Sequence, residues 1–317
     1  MTDGEHVVQD RDSRLPIGAV LAFAILAAAF SSIFIRFAQS EASSLVIAAY
    51  RLAIASLLLS PILVFRYRGE VRALSRSDSR LSLVAGLFLA LHLGTWITSL
   101  EYTSVASSVV LVQTTPLMVA ALSPLLLGER IGRNLFMGLL IATLGSLTVA
   151  ISDVCGEAGC MRLDELLRGS AIRGDLLALA GAAAGAGYVL VGRRVRRSVS
   201  LVPYIGIAYG AAAAVLIVAA LLTGAPLVGF EPSTYLWLVL LAVFPQLVAH
   251  TAYNWALGYL AAAVVSLVLL AEPAASSVLA LLILDETPTM LRLIGGSLIL
   301  IGIGLGTYRT NSDRSST

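Results

Sequence analysis

Ten apolar runs, each about as long as a bilayer is thick, recur along this 317-residue chain, and no other feature constrains its fold as much. A hydrocarbon core of ~30 Å is crossed by roughly 20 helical residues. The runs lie near 17–38, 43–65, 81–101, 104–127, 132–152, 172–192, 200–223, 234–258, 260–284 and 290–308. Backbone amides in lipid find no water, so each run must satisfy its own hydrogen bonds, which makes these helices and not open strands. The expected fold class is an all-α integral membrane protein of ten transmembrane helices. Composition agrees: 58% of the residues are hydrophobic and 13% charged, against roughly 45–50% and 25% in a soluble domain. Residues 1–16 are polar and carry both signs, unlike the leading part of a signal peptide, so the first run reads as a retained helix.

The arginines assign a side to each loop. The chain has no lysine, and all 21 basic residues are arginine. With the N-terminus inside, fifteen fall in inner segments, five in outer segments, and Arg51 lies within the second run. That bias places both termini in the cytoplasm of a cell (inner) membrane protein. Arginines at loops mark topology, so no nucleic-acid partner is expected. The expected partners are the lipid bilayer and a small-molecule substrate, with a homodimer left open. Cys155 and Cys160, in CGEAGC, share the outer loop 153–171, where a disulfide would persist. Two separate thiols are the alternative. Two ligands with no histidine nearby do not make a zinc site, and no metal or cofactor is expected.

The chain also repeats itself. From Tyr102, YTSVASSVVLVQTTPLMVAALSPLLLGERIGRNLFMGLLIATLGSLTVA is followed 157 residues later by YLAAAVVSLVLLAEPAASSVLALLILDETPTMLRLIGGSLILIGIGLGT. Without a gap, Tyr102 meets Tyr259, Pro116 meets Pro273, Glu129 meets Glu286, Gly138 meets Gly295 and Gly145 meets Gly302. The expected organisation is a cytoplasmic tail (1–16), a first five-helix repeat (17–152), an extracytoplasmic linker (153–171), a second five-helix repeat (172–308) and a second cytoplasmic tail (309–317). Five is odd, so the halves enter from opposite sides and are inverted repeats, an architecture of secondary transporters. Pro116 and Pro273 are expected as matching helix breaks, freeing carbonyls at Val112 and Leu269.

The paired motifs P…LLLGE (Pro116 to Glu129) and EP…LLILDE (Glu272 to Glu286), with ten spans and a repeat, resemble the drug/metabolite transporter superfamily, nearest its EamA-like bacterial exporter branch. The resemblance covers roughly 17–308. It implies an inverted-repeat fold of ten helices and export of small metabolites, amino acids among them. The longer outer loop between the halves departs from that pattern.

Glu272 is the one carboxylate deep within a run, away from its ends, and an ionisable group there marks a substrate or ion path by default. It is the coupling-ion candidate, because desolvation raises a carboxyl pKa toward neutrality. A hydrogen-bonded glutamate securing the broken helix is the alternative. Its repeat partner, Thr115, lies in QTTP with Gln113, so hydroxyls and an amide stand where the other half has the carboxylate. His92, Trp96 and Ser99 share one face of the third run, and Gln246, His250 and Tyr253 share one face of the eighth. His92, Trp96, Gln113, Thr115, Gln246, His250, Tyr253 and Glu272 are therefore the substrate-binding candidates, against the plainer reading of helix–helix hydrogen bonding and packing. Arg51 is expected to snorkel outward or to face an outer vestibule. Glu129 and Glu286 are expected to cap the next helix, with gating as the alternative.

The leading function is secondary active export of small amphipathic metabolites such as amino acids, by alternating access at a midplane cavity, with proton coupling open. No GxxxxGK[ST] occurs, so the chain lacks the signature of ATP-driven transport. An intramembrane enzyme of serine hydrolase type is the rival, although Ser146 and Ser297 sit in no GxSxG setting. A non-transporting membrane scaffold is the third reading.

Overall fold

The computed structural model describes residues 16–103, 105–156, 159–160, 169–284 and 289–308. Ten helices are long and apolar enough to cross a bilayer: Ile17–Ala38, Ser44–Arg66, Arg76–Ser99, Ser107–Leu127, Arg133–Ser152, Ala171–Val195, Leu201–Leu222, Pro232–Ala256, Ala262–Leu279 and Met290–Thr307, numbered here spans 1 to 10. Every expected run is present. Span 3 starts earlier than its apolar run because the Ser75 hydroxyl accepts from the Asp78 amide at 3.0 Å and donates to the Asp78 carboxylate at 2.8 Å. That polar cap begins the helix outside the apolar stretch. Phe65, Leu125 and Leu222 point away from the protein with most of their surface exposed, as lipid-facing side chains do. The only strands among the described residues are a short antiparallel pair in the linker, with Cys155 opposite Cys160 and Gly156 opposite Gly159.

Spans 4 and 9 are both broken, at Gln113–Thr114 and at Leu270–Ala271. Their pieces are Val105–Val112 and Thr115–Leu127 in one, Ala262–Leu269 and Glu272–Leu284 in the other. All four boundaries agree at the 157-residue offset, as do the starts of spans 2 and 7 (Ser44, Leu201) and of spans 5 and 10 (Arg133, Met290). Pro116 and Pro273 are each the second residue of the later piece, where a helix needs no N–H from them. The Val112 carbonyl accepts the Thr115 hydroxyl at 2.7 Å. Two interruptions have no repeat partner. Span 1 is interrupted at Phe30, and span 8 widens into a π-helix over Ala242–His250, around Pro245.

The chain forms two compact units, each drawn from both sequence halves. Unit 1 comprises Met1–Ala90 and Gly187–Leu260; unit 2 comprises Leu91–Ala186 and Ala261–Thr317. In unit 1, span 2 packs along span 7 and span 1 along span 8. Gly206 admits the Leu63 side chain, which a Cβ there would meet at 2.8 Å. In unit 2, spans 5 and 10 run antiparallel, with Ser152 at the end of one bonded to Thr289 at the start of the other. Gly138 faces Gly302, and Gly145 faces Gly295. Exchange each residue for its repeat partner and the first contact becomes the second. Only glycine allows this approach: a Cβ on Gly145 would sit 2.6 Å from the Gly295 carbonyl oxygen.

Glu129 also caps a helix far from it in sequence. Its Oε2 accepts from the Ala262 amide at 2.9 Å, closing the N-terminus of a half-helix in the other half of the sequence. Glu286 lies outside the described residues.

Candidate functional site

In unit 2 the broken span 4, span 3 and the first part of span 6 meet through polar groups. His92 Nδ1 lies 2.8 Å from the Gly181 carbonyl. A carbonyl only accepts, so this nitrogen carries the proton when the ring is neutral. The Thr115 hydroxyl reaches the next carbonyl, that of Ala182, at 3.2 Å. Adjacent carbonyls of span 6 thus fix a histidine from one helix and a hydroxyl from the break in another. Gly181 and Gly185 make the approach possible, since a Cβ at Gly185 would fall 2.8 Å from His92 Nδ1. The His92 ring stacks on Trp96 with centroids 6.0 Å apart, and the buried Trp96 Nε1 has no partner. Gln113 is half-buried at the break itself. Glu272, also half-buried, is the first residue of Glu272–Leu284, so its carboxyl stands where the helix dipole favours negative charge. Thr115 is the first residue of its own half-helix. The repeat therefore presents a hydroxyl and a carboxyl from equivalent helix starts.

Unit 1 holds the other candidates, Gln246, His250 and Tyr253. The π-helix changes the angle between successive residues, and the expected single stripe divides. His250 sits against the rings of Tyr253 and Tyr188, at 6.1 and 6.5 Å between centroids. Gln246 is fully buried and turns to Arg51, whose Nε donates to Gln246 Oε1 at 2.8 Å. Another nitrogen of the guanidinium donates to the Ser31 hydroxyl at 3.2 Å. Arg51 neither snorkels nor faces a vestibule: 1% of it is exposed, because spans 1 and 8 offer it acceptors inside the unit.

Sequence reasoning missed the tyrosines of the surrounding polar core. Asn254 Nδ2 donates to the Tyr188 hydroxyl at 2.7 Å and to the His250 carbonyl at 2.6 Å. Tyr209 lies 3.4 Å from the Thr251 hydroxyl, and the Tyr204 hydroxyl is buried without a partner. The available signal was three tyrosines in otherwise apolar runs. Two arginines that marked topology also close span 8: Arg193 donates to the Leu257 carbonyl at 2.7 Å, and Arg196 Nε to the Asn254 carbonyl at 3.2 Å. Cations suit the carbonyl-rich end of a helix. Among the described residues, no group of three or more His, Cys, Asp or Glu side chains could hold a metal ion.

The profile of one family, described as the EamA-like transporter family, matches residues 16–151 and again residues 172–308. The chain belongs to the EamA-like transporter family. It is accordingly a multi-pass membrane transporter of the drug/metabolite type and not an enzyme. Solved structures matching it number 29 chains. One, described as the crystal structure of a protein, is 19% identical and superimposes with a TM-score of 0.76 over 96% of this chain and 100% of that one. At that identity the likeness concerns the fold alone. No curated protein matches the chain significantly.

Proposed function

We propose that this EamA-like transporter is a proton-coupled secondary exporter of small amphipathic metabolites such as amino acids, working by alternating access at a midplane site. The observation that carries the reading is the pair of broken spans in unit 2, which start equivalent half-helices with Thr115 and with Glu272. Discontinuous helices at matching positions of two repeats mark the binding site of secondary transporters. Glu272 is the proposed proton carrier. His92, Trp96, Gln113, Thr115, Gln246, His250 and Tyr253 are proposed to line the path of the solute.

An inverted arrangement of the two five-helix repeats belongs to the same proposal. It is supported by the antiparallel spans 5 and 10, by contacts that exchange under the 157-residue offset, and by a family profile that matches once per half. Cytoplasmic termini and residence in the inner membrane rest on the arginine bias. Mixed aromatic, amide and hydroxyl groups suit an amphipathic solute better than a bare ion.

The test is flux of labelled amino acids through the full chain in proteoliposomes, with and without an imposed pH gradient. Movement against a solute gradient, driven by protons, is the expected result. Glu272→Gln is expected to abolish or uncouple that movement with the helical content unchanged. Parental rates and pH dependence in Glu272→Gln would remove the coupling role, and absence of flux for every amphipathic solute would remove the substrate assignment.

A further inference from the structure

The loop between spans 2 and 3 sorts its charges by direction. Residues 66–80 hold five arginines, Arg66, Arg68, Arg72, Arg76 and Arg80, and two acids, Glu70 and Asp78. All five arginines are exposed, whereas both acids are partly buried. The acids turn to the loop between spans 6 and 7. Glu70 Oε1 accepts from the Ser200 amide at 3.0 Å, and Asp78 Oδ1 accepts from the Ser198 hydroxyl at 3.2 Å. The other Asp78 oxygen takes the Ser75 hydroxyl at 2.8 Å. Both acids are thus used within unit 1, and the outward charge of the loop is of one sign.

The arginines stand in line with lipid-facing surface. In span 3, Arg76, Arg80, Leu83, Val84 and Leu87 follow at intervals of three and four, which is one helical stripe, and every one of them is exposed. The opposite stripe, Ser82, Ala85 and Leu89, is fully buried. Gly86 beside it admits span 7, since a Cβ there would lie 2.6 Å from the Ala208 carbonyl oxygen. Span 2 repeats the pattern with exposed Leu58, Ile62 and Arg66, next to Phe65, 88% of which is exposed. An arginine bias sets orientation wherever in a loop the charges fall. It does not require them to continue apolar lipid-facing stripes, nor the acids to turn away. A phospholipid meets both conditions, with its chains against the leucines and its phosphate at the guanidinium one turn beyond.

We propose that this end of unit 1 is a binding site for anionic phospholipid. The acyl chains lie along Leu83, Val84 and Leu87, and Arg80 and Arg76 hold the phosphate. Arg66, above Leu58 and Ile62, holds a second lipid in the same way. Clusters of basic residues beside a membrane span attract anionic lipid. Glu70 and Asp78, bonded to Ser200 and Ser198, position the loop and leave its outer side unneutralised. The site is independent of the solute and of the coupling ion.

The experiment compares spin-labelled phosphatidylglycerol with spin-labelled phosphatidylcholine on the full chain, reconstituted in phosphatidylcholine bilayers at low salt, where surface charges are least screened. The motionally restricted fraction of each label gives its relative association, and a symmetric bilayer assigns neither face to the cytoplasm. The parent is expected to hold the anionic label about fivefold more strongly, the contribution of one arginine near the surface. Arg80→Gln should remove most of that preference. Arg80→Lys, with the charge kept, should retain it, which separates loss of the site from loss of the fold. Arg194→Gln deletes the same charge from another exposed position of unit 1, one turn beyond the buried Leu190, and should leave the preference near parental. Equal association of both labels with the parent overturns the site. It would leave the loop to an acidic protein segment, such as residues 1–15 with Asp3, Glu5, Asp10 and Asp12. An equal loss in Arg194→Gln and Arg80→Gln overturns it as well, because the attraction would then belong to surface charge at large.

Discussion

Replacing Gly145 or Gly295 with alanine tests the packing of spans 5 and 10 at its tightest point. An alanine Cβ at Gly145 would lie 2.6 Å from the Gly295 oxygen and 2.7 Å from the Ile299 amide nitrogen. At Gly295 it would lie 2.7 Å from both the Gly145 oxygen and Val149 Cγ2. Ordinary contact begins at 3.4 Å, so 3.4 less 2.6 requires the helices to part by about 0.8 Å at this crossing. Overpacking of this kind costs about 1–3 kcal/mol. Alanine also gains up to about 1 kcal/mol of helix propensity over glycine. The reference is therefore Gly304→Ala on the same span, which meets nothing within 4 Å. Relative to it, each single variant should lose about 1–3 kcal/mol. Because one separation accommodates both new methyl groups, the double variant should lose less than the sum by at least ~0.5 kcal/mol. Equilibrium unfolding of the full chain in mixed micelles, followed by circular dichroism, measures all four. Strict additivity, or single variants as stable as Gly304→Ala, would refute the glycine-mediated crossing.

Glu129→Ala should cost about 1 kcal/mol by uncapping Ala262–Leu269. Faster hydrogen exchange at the start of that half-helix would report it, and unchanged exchange would show that the contact does not hold the helix. Gly185→Ala should push His92 off the Gly181 carbonyl and depress transport while helicity stays parental; parental transport would remove His92 from the functional path. Directly opposed residues of an antiparallel pair have Cα atoms about 4.5–5.5 Å apart, within the range of roughly 4.4–6.8 Å that a disulfide needs. Cys155 and Cys160 are so opposed, and a disulfide is expected between them. Reduction should then add two hydrogens to the intact mass, and two alkylatable thiols before reduction would contradict the bond.

Element by element, legibility in the sequence followed the range of the physics involved. Long apolar runs reveal spans because lipid demands them, and paired prolines revealed the broken helices because the missing N–H is a local defect. The His92–Trp96 stripe was legible for the same reason, four residues on a regular α-helix being one turn. The stripe on span 8 was not, since Pro245 announces an irregularity without saying whether it will be a kink, a break or a π-helix. Partners distant in sequence were invisible. Capping rules led from Glu129 to the next helix and could not reveal the amide it satisfies 133 residues away. Arg51 offered only its charge, and the amide and hydroxyl that draw it inward come from two other spans.

The bond between Arg51 and Gln246 joins residues 195 positions apart, and a ribosome makes the chain from one end. At roughly 5–20 residues per second, span 2 waits on the order of 10–40 s in the membrane before its amide partner exists. During that interval the guanidinium has every reason to reach toward the headgroups. The outward posture that the isolated span suggests belongs to the nascent protein, and turning inward becomes a late step of assembly. Variants at Gln246 should thus reach the folded state more slowly, with the second span keeping its arginine at the interface for longer.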